Sequence, residues 1–402
     1  MKTYLYIILA LLLIIVLVTV SPLFTSNSLQ IKDSNQSAPS HRRQHNDSRI
    51  LIIYTGGTIG MKETAKGYAP DKGYIEKQLG KILDLYPSEN NKIGQYKFIN
   101  YDPLLDSSNM TPKDWNKIIH TIESNYNSYD SFIILHGTDT LAYTASALSF
   151  AFAGLTKPII VTGSQLTIEK LKNDGRNNLV TSLLYASDPK AVNEVVVVFD
   201  NNIIRGNRAV KISPNKFNAF GSPNFALIGK YGVTFEINKM VEKFDKGIGL
   251  EISYYNTDIH IPVERLAPGK NWKIVNSNIN HANEYNIVAI ILSTFGIGNG
   301  PTKDEHFMHA LHLARSKQIN VFNITQCLEG RVDEGDYATG SGLKEAGVIG
   351  GKDMTIEAAY TKALYLASKF PGSYDLINKY FQENLRGELR DKSQALFDPL
   401  TQ

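Results

Sequence analysis

Residues 50–60 read Ile-Leu-Ile-Ile-Tyr-Thr-Gly-Gly-Thr-Ile-Gly, an apolar run that turns abruptly into glycine and threonine. The apolar run is rich in β-branched residues and predicts a buried strand, and the paired glycines predict a sharp turn after it. Further strand-like runs occupy residues 131–136, 158–162 and 194–199. Helix-forming runs occupy residues 111–126 and 140–153. This alternation predicts parallel strands joined by helices, which is an α/β fold.

The chain is long enough for two domains. Its 402 residues exceed what one compact core usually holds. The alternation loosens at residues 201–231, which we interpret as an irregular excursion, and residues 237–257 could connect two domains. The alternation resumes with predicted strands at 286–292 and 320–324. We therefore predict a larger Rossmann-like or flavodoxin-like parallel-sheet domain over residues 49–240, a linker over 241–258 and a smaller C-terminal α/β domain over 259–402.

The N-terminus differs in composition from the rest of the chain. Residues 4–20 carry no charge, and their length is at the short end of the roughly 20 residues that cross a bilayer. Residues 23–48 are rich in Ser, Asn, Gln and Asp, so they cannot bury enough apolar surface to fold. We predict a membrane anchor or signal segment over residues 1–22, a disordered linker over 23–48, and a folded part on the periplasmic or extracytoplasmic side. A cytoplasmic-facing anchor is the alternative, because positive charge flanks both ends of the apolar segment.

The overall composition excludes several classes of protein. Hydrophobic residues make up 43% and charged residues 20%, and the net charge is +3, which is ordinary globular usage. No long basic run with interleaved aromatics is present, so we predict no nucleic-acid partner. Cys327 is the only cysteine, which excludes an intramolecular disulfide and a cysteine-based zinc cluster. Because Cys327 follows an apolar run, we expect a buried, unreactive thiol.

A metal site on the predicted C-terminal helix is excluded by geometry. His306, His309 and His312 recur at three-residue steps. At 3.6 residues per turn the outer two point about 120° apart, so the three imidazoles cannot converge on one ion. We predict a partly solvated helix face and no metal site.

Candidate functional residues follow the predicted strands, because ligands of open α/β sheets bind beyond the C-terminal strand ends. Gly56-Gly57-Thr58 follow the first strand, where backbone amides can face a developing negative charge. A structural turn without chemistry is the alternative. A nucleotide-binding loop is disfavoured, because neither the Gly-x-Gly-x-x-Gly spacing nor a Walker lysine is present.

A second candidate motif, His136-Gly137-Thr138-Asp139-Thr140, follows the next clear strand. A hydroxyl beside a carboxylate can position a water molecule or a substrate ammonium group, although Thr-Asp is also an ordinary helix cap. Lys157 precedes the following strand and by itself reads as a solvated lysine. Together, two threonines, an aspartate and a lysine would form a hydroxyl-activating group without histidine.

Taken together, the runs at residues 54–61 and 136–140 resemble the paired signatures of the bacterial L-asparaginases. Three further stretches resemble the type I branch, which is usually cytoplasmic: Asp-Ser-Ser-Asn-Met-Thr-Pro at 106–112, Val-Thr-Gly-Ser-Gln at 161–165 and Tyr-Ala-Thr-Gly at 337–340. The resemblance extends from about residue 49 to near the C-terminus. It implies hydrolysis of L-asparagine to L-aspartate and ammonia, without a metal or organic cofactor.

The resemblance also implies catalytic roles. Thr58 would attack the side-chain amide carbon and form an acyl-enzyme, and Tyr68 would close over the site. Thr138, Asp139 and Lys157 would form a second triad, in which the lysine charge favours a deprotonated threonine hydroxyl. We assign Thr138 to the incoming water, because it opens a helix whose N-terminal amides favour an anion nearby.

Substrate contacts and assembly are implied in the same way. Backbone amides near Gly57 and Thr138 would hold the oxyanion. Ser107 and Ser108 would bind the substrate carboxylate, and Asp139 would bind the substrate α-ammonium. Asn299 would reach in from the second domain. The family's shared sites imply a homodimer or homotetramer, with an acidic residue of the neighbouring subunit to be sought among Asp333, Glu334 and Asp336.

Two other functions stay open on the sequence. A glutaminase-asparaginase of broader specificity is one, because a single methylene in a pocket is worth only about 1–3 kcal/mol. A non-catalytic amide-binding receptor on the same fold is the other, because fold does not determine function.

Overall fold

The computed structural model describes residues 47–65, 67–239, 241, 247–269, 272–333 and 338–390. All of these described residues belong to one compact unit. Among the described residues, no helix has the length and apolar character needed to cross a membrane. The predicted anchor over residues 1–22 and nearly all of the predicted linker over 23–48 lie outside the described residues.

The strands in the described part of the chain alternate with helices. The strands are β1 (Arg49–Gly56), β2 (Met61–Thr64), β3 (Gly67–Pro70), β4 (Gln95–Leu105), β5 (Ser131–Leu135), β6 (Phe152–Ala153), β7 (Ile159–Thr162), β8 (Val195–Phe199), β9 (Asn202–Arg205), β10 (Val210–Lys211), β11 (Phe220–Gly221), β12 (Gly229–Tyr231), β13 (Phe235–Ile237), β14 (Glu251–Ile252), β15 (Val263–Arg265), β16 (Ala289–Thr294), β17 (Asn320–Thr325) and β18 (Ile349–Gly350). The helices are α1 (Tyr74–Asp84), α2 (Pro87–Asn90), α3 (Pro112–Asn125), α4 (Leu141–Ala151), α5 (Gly175–Ser187), α6 (Trp272–Asn280), α7 (Glu305–Ser316), α8 (Ala338–Glu345), α9 (Ile356–Lys369) and α10 (Tyr374–Gln382).

The N-terminal domain is built on an eight-stranded sheet with the order β13-β12-β9-β8-β7-β5-β1-β4. The strands β4, β1, β5, β7 and β8 are parallel, and the remaining three continue the sheet in antiparallel fashion. Every residue of β5 and β8 is buried, as expected where helices cover both faces of a parallel sheet. From β1 the chain runs first to β4 on one side and then to β5 on the other. The strand order therefore reverses between β1 and β5, where α/β sheets bind their ligands.

The C-terminal domain holds a smaller sheet of four parallel strands, in the order β15-β16-β17-β18. Helices α6 and α7 pack on it around a core that includes Val275, Leu292 and Phe307. The predicted fold class, a larger parallel-sheet domain followed by a smaller α/β domain, is confirmed. The boundaries at residues 240 and 258 stay predictions.

The two domains share a packed junction. The Ser146 hydroxyl of α4 lies 2.8 Å from the Thr361 hydroxyl of α9. Arg208 forms an ion pair with Asp353 at 3.0 Å, with side chains only 1% and 2% exposed. Removing one partner of this pair would leave an uncompensated buried charge, so loss of either side chain should destabilise the junction, which lies three residues before Lys211.

The sequence interpretation was incomplete in three places. The excursion at residues 201–231 is more regular than predicted, because its short strands β9 and β12 extend the main sheet. Helices α1 and α5 and strand β4 were missed, since in β4 polar and charged residues interrupt the apolar pattern. Cys327 is exposed rather than buried, because the chain has already left β17 at Thr325, whose hydroxyl accepts the Cys327 N–H at 3.0 Å.

Candidate active site

The candidate site lies where the strand order reverses, beyond the C-terminal ends of β1 and β5. Gly57 has φ +91°, and a Cβ atom there would lie 2.5 Å from the Cα of Gly137. A Cβ atom on Gly137 would in turn collide with the Ser107 side chain. Only glycine fits at these two crossings, so the residues after β1, β4 and β5 are brought together in one cleft.

Thr58 begins a short 3-10 turn, Thr58–Gly60, directly after the glycine crossing. Its neighbours Ile59 and Gly60 are buried, whereas Thr58 itself is partly exposed. The Ile168 N–H donates to the Ile59 carbonyl at 3.4 Å and ties this turn to the loop after β7. Thr58 therefore lies beside the glycine crossing on a restrained backbone, and its predicted role as nucleophile stays a prediction.

The loop after β4 supplies the two serines, which differ in exposure. Ser107 is 3% exposed, and its carbonyl accepts a hydrogen bond from the Thr140 hydroxyl at 2.7 Å. Ser108 is exposed, and its N–H donates to the Asp106 carboxylate at 3.1 Å. The structure therefore brings Ser107 against the motif after β5, while Ser108 faces outwards.

The lysine that contacts Thr138 and Asp139 is Lys211. Its Nζ donates to the Thr138 hydroxyl at 2.9 Å and to Asp139 Oδ1 at 2.8 Å. The Lys211 side chain is 22% exposed and that of Asp139 61%. Charge-assisted bonds of this kind are shorter and stronger than neutral ones. Lys211 escaped the sequence analysis because it ends the two-residue strand β10, inside a segment interpreted as irregular.

Lys157 is not part of this cluster, and its predicted place in the triad is wrong. Its Nζ donates to the backbone carbonyls of Tyr126 and Tyr129, the latter at 2.7 Å. Lys157 precedes β7, so it lies at the N-terminal edge of a parallel strand. Ligands bind at the opposite, C-terminal edge. Lys157 therefore joins the ends of two connections on the far side of the sheet.

Tyr68 lies on the hairpin formed by β2 and β3, where it pairs across the strands with Glu63. Its hydroxyl is 3.4 Å from Glu63 Oε2, and the Lys170 ammonium lies 4.9 Å from the centre of its ring. The phenol is 38% exposed. These contacts tie the hairpin to the loop around Lys170, and the predicted role of Tyr68 at Thr58 stays a prediction.

Asn299 follows β16 in the smaller domain. Its backbone N–H donates to the Phe295 carbonyl at 2.8 Å, and the Phe295 N–H returns a bond to the Asn299 carbonyl at 3.0 Å. This tight turn lies at the C-terminal edge of the second sheet. The predicted contact of Asn299 with substrate stays a prediction.

His136, to which the sequence analysis gave no role, is a buried neutral group beneath the site. Its Nδ1 lies 2.6 Å from the Gly137 carbonyl and its Nε2 2.9 Å from the Thr144 hydroxyl. A carbonyl can only accept, so Nδ1 carries the proton and Nε2 accepts from Thr144. Burial lowers the pKa of His136 to about 4. The ring thereby orients the peptide that leads into Thr138.

This burial predicts a loss of stability in mild acid. A histidine in the unfolded chain has a pKa of about 6.5, so between pH 6.5 and 4 the unfolded state binds more protons. The stabilisation is complete above about pH 6.5 and is lost as the pH falls to about 4. We expect His136 to contribute about 3 kcal/mol to this decline. Urea unfolding across that range, compared between the parent chain and His136→Gln, measures it.

The exposed His120, whose side chain is 72% exposed, provides the control. His120→Gln should keep the full acid slope of the parent chain. An equal slope in His136→Gln would contradict the burial argument.

Two family models match the described unit. "Asparaginase, N-terminal" matches residues 49–243, and "Glutaminase/Asparaginase C-terminal domain" matches residues 272–381. L-asparaginase 1 of Escherichia coli is 41% identical over 341 residues, which are 85% of this chain and 97% of that protein. The crystal structure of L-asparaginase I from Vibrio cholerae superposes with a TM-score of 0.77 at 40% identity, covering 86% of this chain and 100% of that chain.

The location predicted from residues 4–20 is corrected by these comparisons. The E. coli and V. cholerae relatives are named L-asparaginase 1 and L-asparaginase I. A structure described as a probable cytoplasmic L-asparaginase from Campylobacter jejuni shares the fold, with a TM-score of 0.68 at 20% identity over 84% of this chain and 100% of that chain. The prediction of a membrane-anchored or exported protein is therefore withdrawn, and residues 4–20 lie outside the described residues.

The two matched models together span most of the folded unit, and the E. coli relative is covered almost end to end. The residues that meet at the glycine crossing between β1 and β5 lie within the first matched range, residues 49–243. On both grounds, the chain belongs to the type I L-asparaginase family.

Proposed function

We propose that this chain hydrolyses L-asparagine to L-aspartate and ammonia, with Thr58 as the nucleophile. The observation that carries the proposal is the Lys211–Thr138–Asp139 cluster at the same strand-end cleft that presents Thr58. A threonine hydroxyl is a weak nucleophile at neutral pH and needs a neighbouring base or charge. The relatives named L-asparaginase support asparagine as the substrate.

In the first half-reaction, Thr58 Oγ attacks the side-chain amide carbon of the substrate. The hydroxyl proton of Thr58 ends on the leaving nitrogen, the C–N bond breaks, and ammonia departs from an ester between the substrate and Thr58. We assign stabilisation of the oxyanion of the tetrahedral intermediate to backbone amides near Gly57 and Thr138. Tyr68 would assist when its hairpin closes.

In the second half-reaction, water attacks the ester carbon and L-aspartate leaves, returning the proton to Thr58. Thr138 is the group that receives the incoming water, because its hydroxyl already bonds the Lys211 ammonium. The exposed carboxylate of Asp139 faces solvent as well as Lys211, so it can also meet the substrate α-ammonium. Ser107 and Ser108 would bind the substrate carboxylate.

The assembly is part of the proposal. We place Asn299 as a substrate contact, together with an acidic residue from the segment around Asp333. Asn299 belongs to a turn of the second domain, whereas the Thr58 cleft belongs to the first. A homodimer or homotetramer would bring such turns to a neighbouring cleft.

Ammonia release from L-asparagine and from L-glutamine by the purified protein tests the function. Ammonia from asparagine is the expected result. Comparable kcat/KM values for the two amides would establish the broader glutaminase-asparaginase activity instead. Binding of asparagine without ammonia release would make the protein an amide receptor and overturn the enzymatic proposal.

A further inference from the structure

We propose that Gln165 is a positioning residue that orients the Thr138 hydroxyl and keeps it within hydrogen-bond distance of the Lys211 ammonium. The inference rests on the proposed function and concerns the same site. Gln165 lies in the loop after β7, and its Oε1 is 3.2 Å from the Thr138 hydroxyl. It belongs to the Val-Thr-Gly-Ser-Gln stretch, to which no catalytic role was given.

The orientation of the Gln165 side-chain amide follows from its other partners. Its Nε2 lies 3.3 Å from the Ser213 carbonyl and 3.3 Å from the Lys216 carbonyl. Backbone carbonyls only accept hydrogen bonds, so the amide nitrogen must face them. The amide oxygen therefore faces Thr138, where it is an obligatory acceptor.

This acceptor determines where the Thr138 proton points. A lysine ammonium only donates, so one lone pair of the Thr138 oxygen is taken by Lys211. The Thr138 proton must then go to another partner, and Gln165 Oε1 provides it. One lone pair of the Thr138 oxygen remains, and it can accept a hydrogen bond from a water molecule in the cleft. Gln165 thus makes Thr138 an acceptor toward the cleft.

The backbone of Gln165 is itself held by hydrogen bonds to Asp174. Its backbone N–H donates to Asp174 Oδ2 at 2.8 Å, and the Leu166 N–H donates to Asp174 Oδ1 at 3.0 Å. Asp174 is 5% exposed, so both oxygens are engaged in a protected setting. The Ser213 and Lys216 carbonyls that the Gln165 side chain contacts belong to the loop directly after Lys211. One side chain therefore links Thr138 to the segment that carries its lysine.

Two substitutions distinguish the hydrogen-bond acceptor of the Gln165 side chain from its size and shape. Gln165→Met preserves length and volume but removes the acceptor, so the Thr138 proton is free to turn into the cleft. We expect kcat for asparagine to fall roughly tenfold or more while KM changes less than about twofold. In Gln165→Glu the protonated carboxyl reproduces the amide, because its O–H can face the Ser213 and Lys216 carbonyls while its C=O faces Thr138. The ionised carboxylate instead sets an oxygen against those two carbonyls, so the kcat of Gln165→Glu relative to the parent should fall as the pH rises.

Asn320→Leu is the control for the loss of a hydrogen-bonded side-chain amide away from the site, at a residue that is buried. The Asn320 amide donates to the Tyr374 carbonyl at 3.0 Å from the first residue of β17, at the N-terminal edge of the second sheet. It should lower Tm without changing the pH profile. A Gln165→Met enzyme with kcat within twofold of the parent would overturn the proposal, as would a Gln165→Glu enzyme whose kcat relative to the parent does not change with pH. A parent enzyme inactive on asparagine would overturn the proposed function as well.

Discussion

Thr58→Ala is expected to abolish the acyl-enzyme and to leave asparagine turnover at background, because no other group in the cleft is assigned to attack the amide carbon. Thr138→Val is expected to behave differently. It keeps the Thr58 hydroxyl and approximately the shape of residue 138, but it removes the oxygen that Lys211 and Gln165 contact. We therefore expect Thr138→Val to accept an acyl group and to release it slowly.

Trapping with a slowly hydrolysed amide analogue, followed by peptide mass analysis, distinguishes the two threonines. The parent enzyme should carry the label on Thr58, and Thr138→Val should accumulate it there to a higher steady level. Thr58→Ser provides a control, because it retains the hydroxyl. A label on Thr138 in the parent enzyme would reverse the two roles.

Lys211→Met is expected to reduce kcat for asparagine by roughly 10²- to 10⁴-fold, the range typical of positioned groups that assist proton transfer. The change removes the only cation that the structure shows within hydrogen-bond distance of the Thr138 hydroxyl, among the described residues. It also leaves the Asp139 carboxylate without its ion-pair partner. Steady-state kinetics with asparagine and thermal unfolding together separate the catalytic loss from any loss of stability.

Lys157→Met is the matched control. Both lysines have partly buried side chains that hydrogen-bond nearby oxygens, but the partners of Lys157 are the carbonyls of Tyr126 and Tyr129 at the other edge of the sheet. We expect Lys157→Met to lower Tm while kcat stays within about twofold of the parent. A collapse of kcat in Lys157→Met with an active Lys211→Met would restore the lysine assignment made from sequence.

The sequence predicted one side of the cleft far better than the other. Thr58 and Thr138 each directly follow an apolar, β-branched strand, so their places at the C-terminal sheet edge can be derived from position alone. Lys211 and Gln165 have no such marker. Lys211 ends a two-residue strand within a polar, glycine-containing segment, and Gln165 acts through an amide orientation that depends on three different loops.

Local sequence was sufficient for the apolar strands β1, β5, β7 and β8, for the turn at Gly56-Gly57, and for the family motifs, because each depends on residues adjacent along the chain. Choosing between Lys157 and Lys211 required the assembled sheet. Lys157 is closer to Thr138 in sequence, but it precedes its strand and so lies at the opposite edge. Lys211 is distant in sequence from Thr138. Strands β8 and β9 nevertheless lead the chain back toward the cleft, and the Arg208–Asp353 ion pair lies just before Lys211, which contacts Thr138. Distance between side chains in a parallel sheet depends on which strand end they occupy, and pairing and packing determine that end.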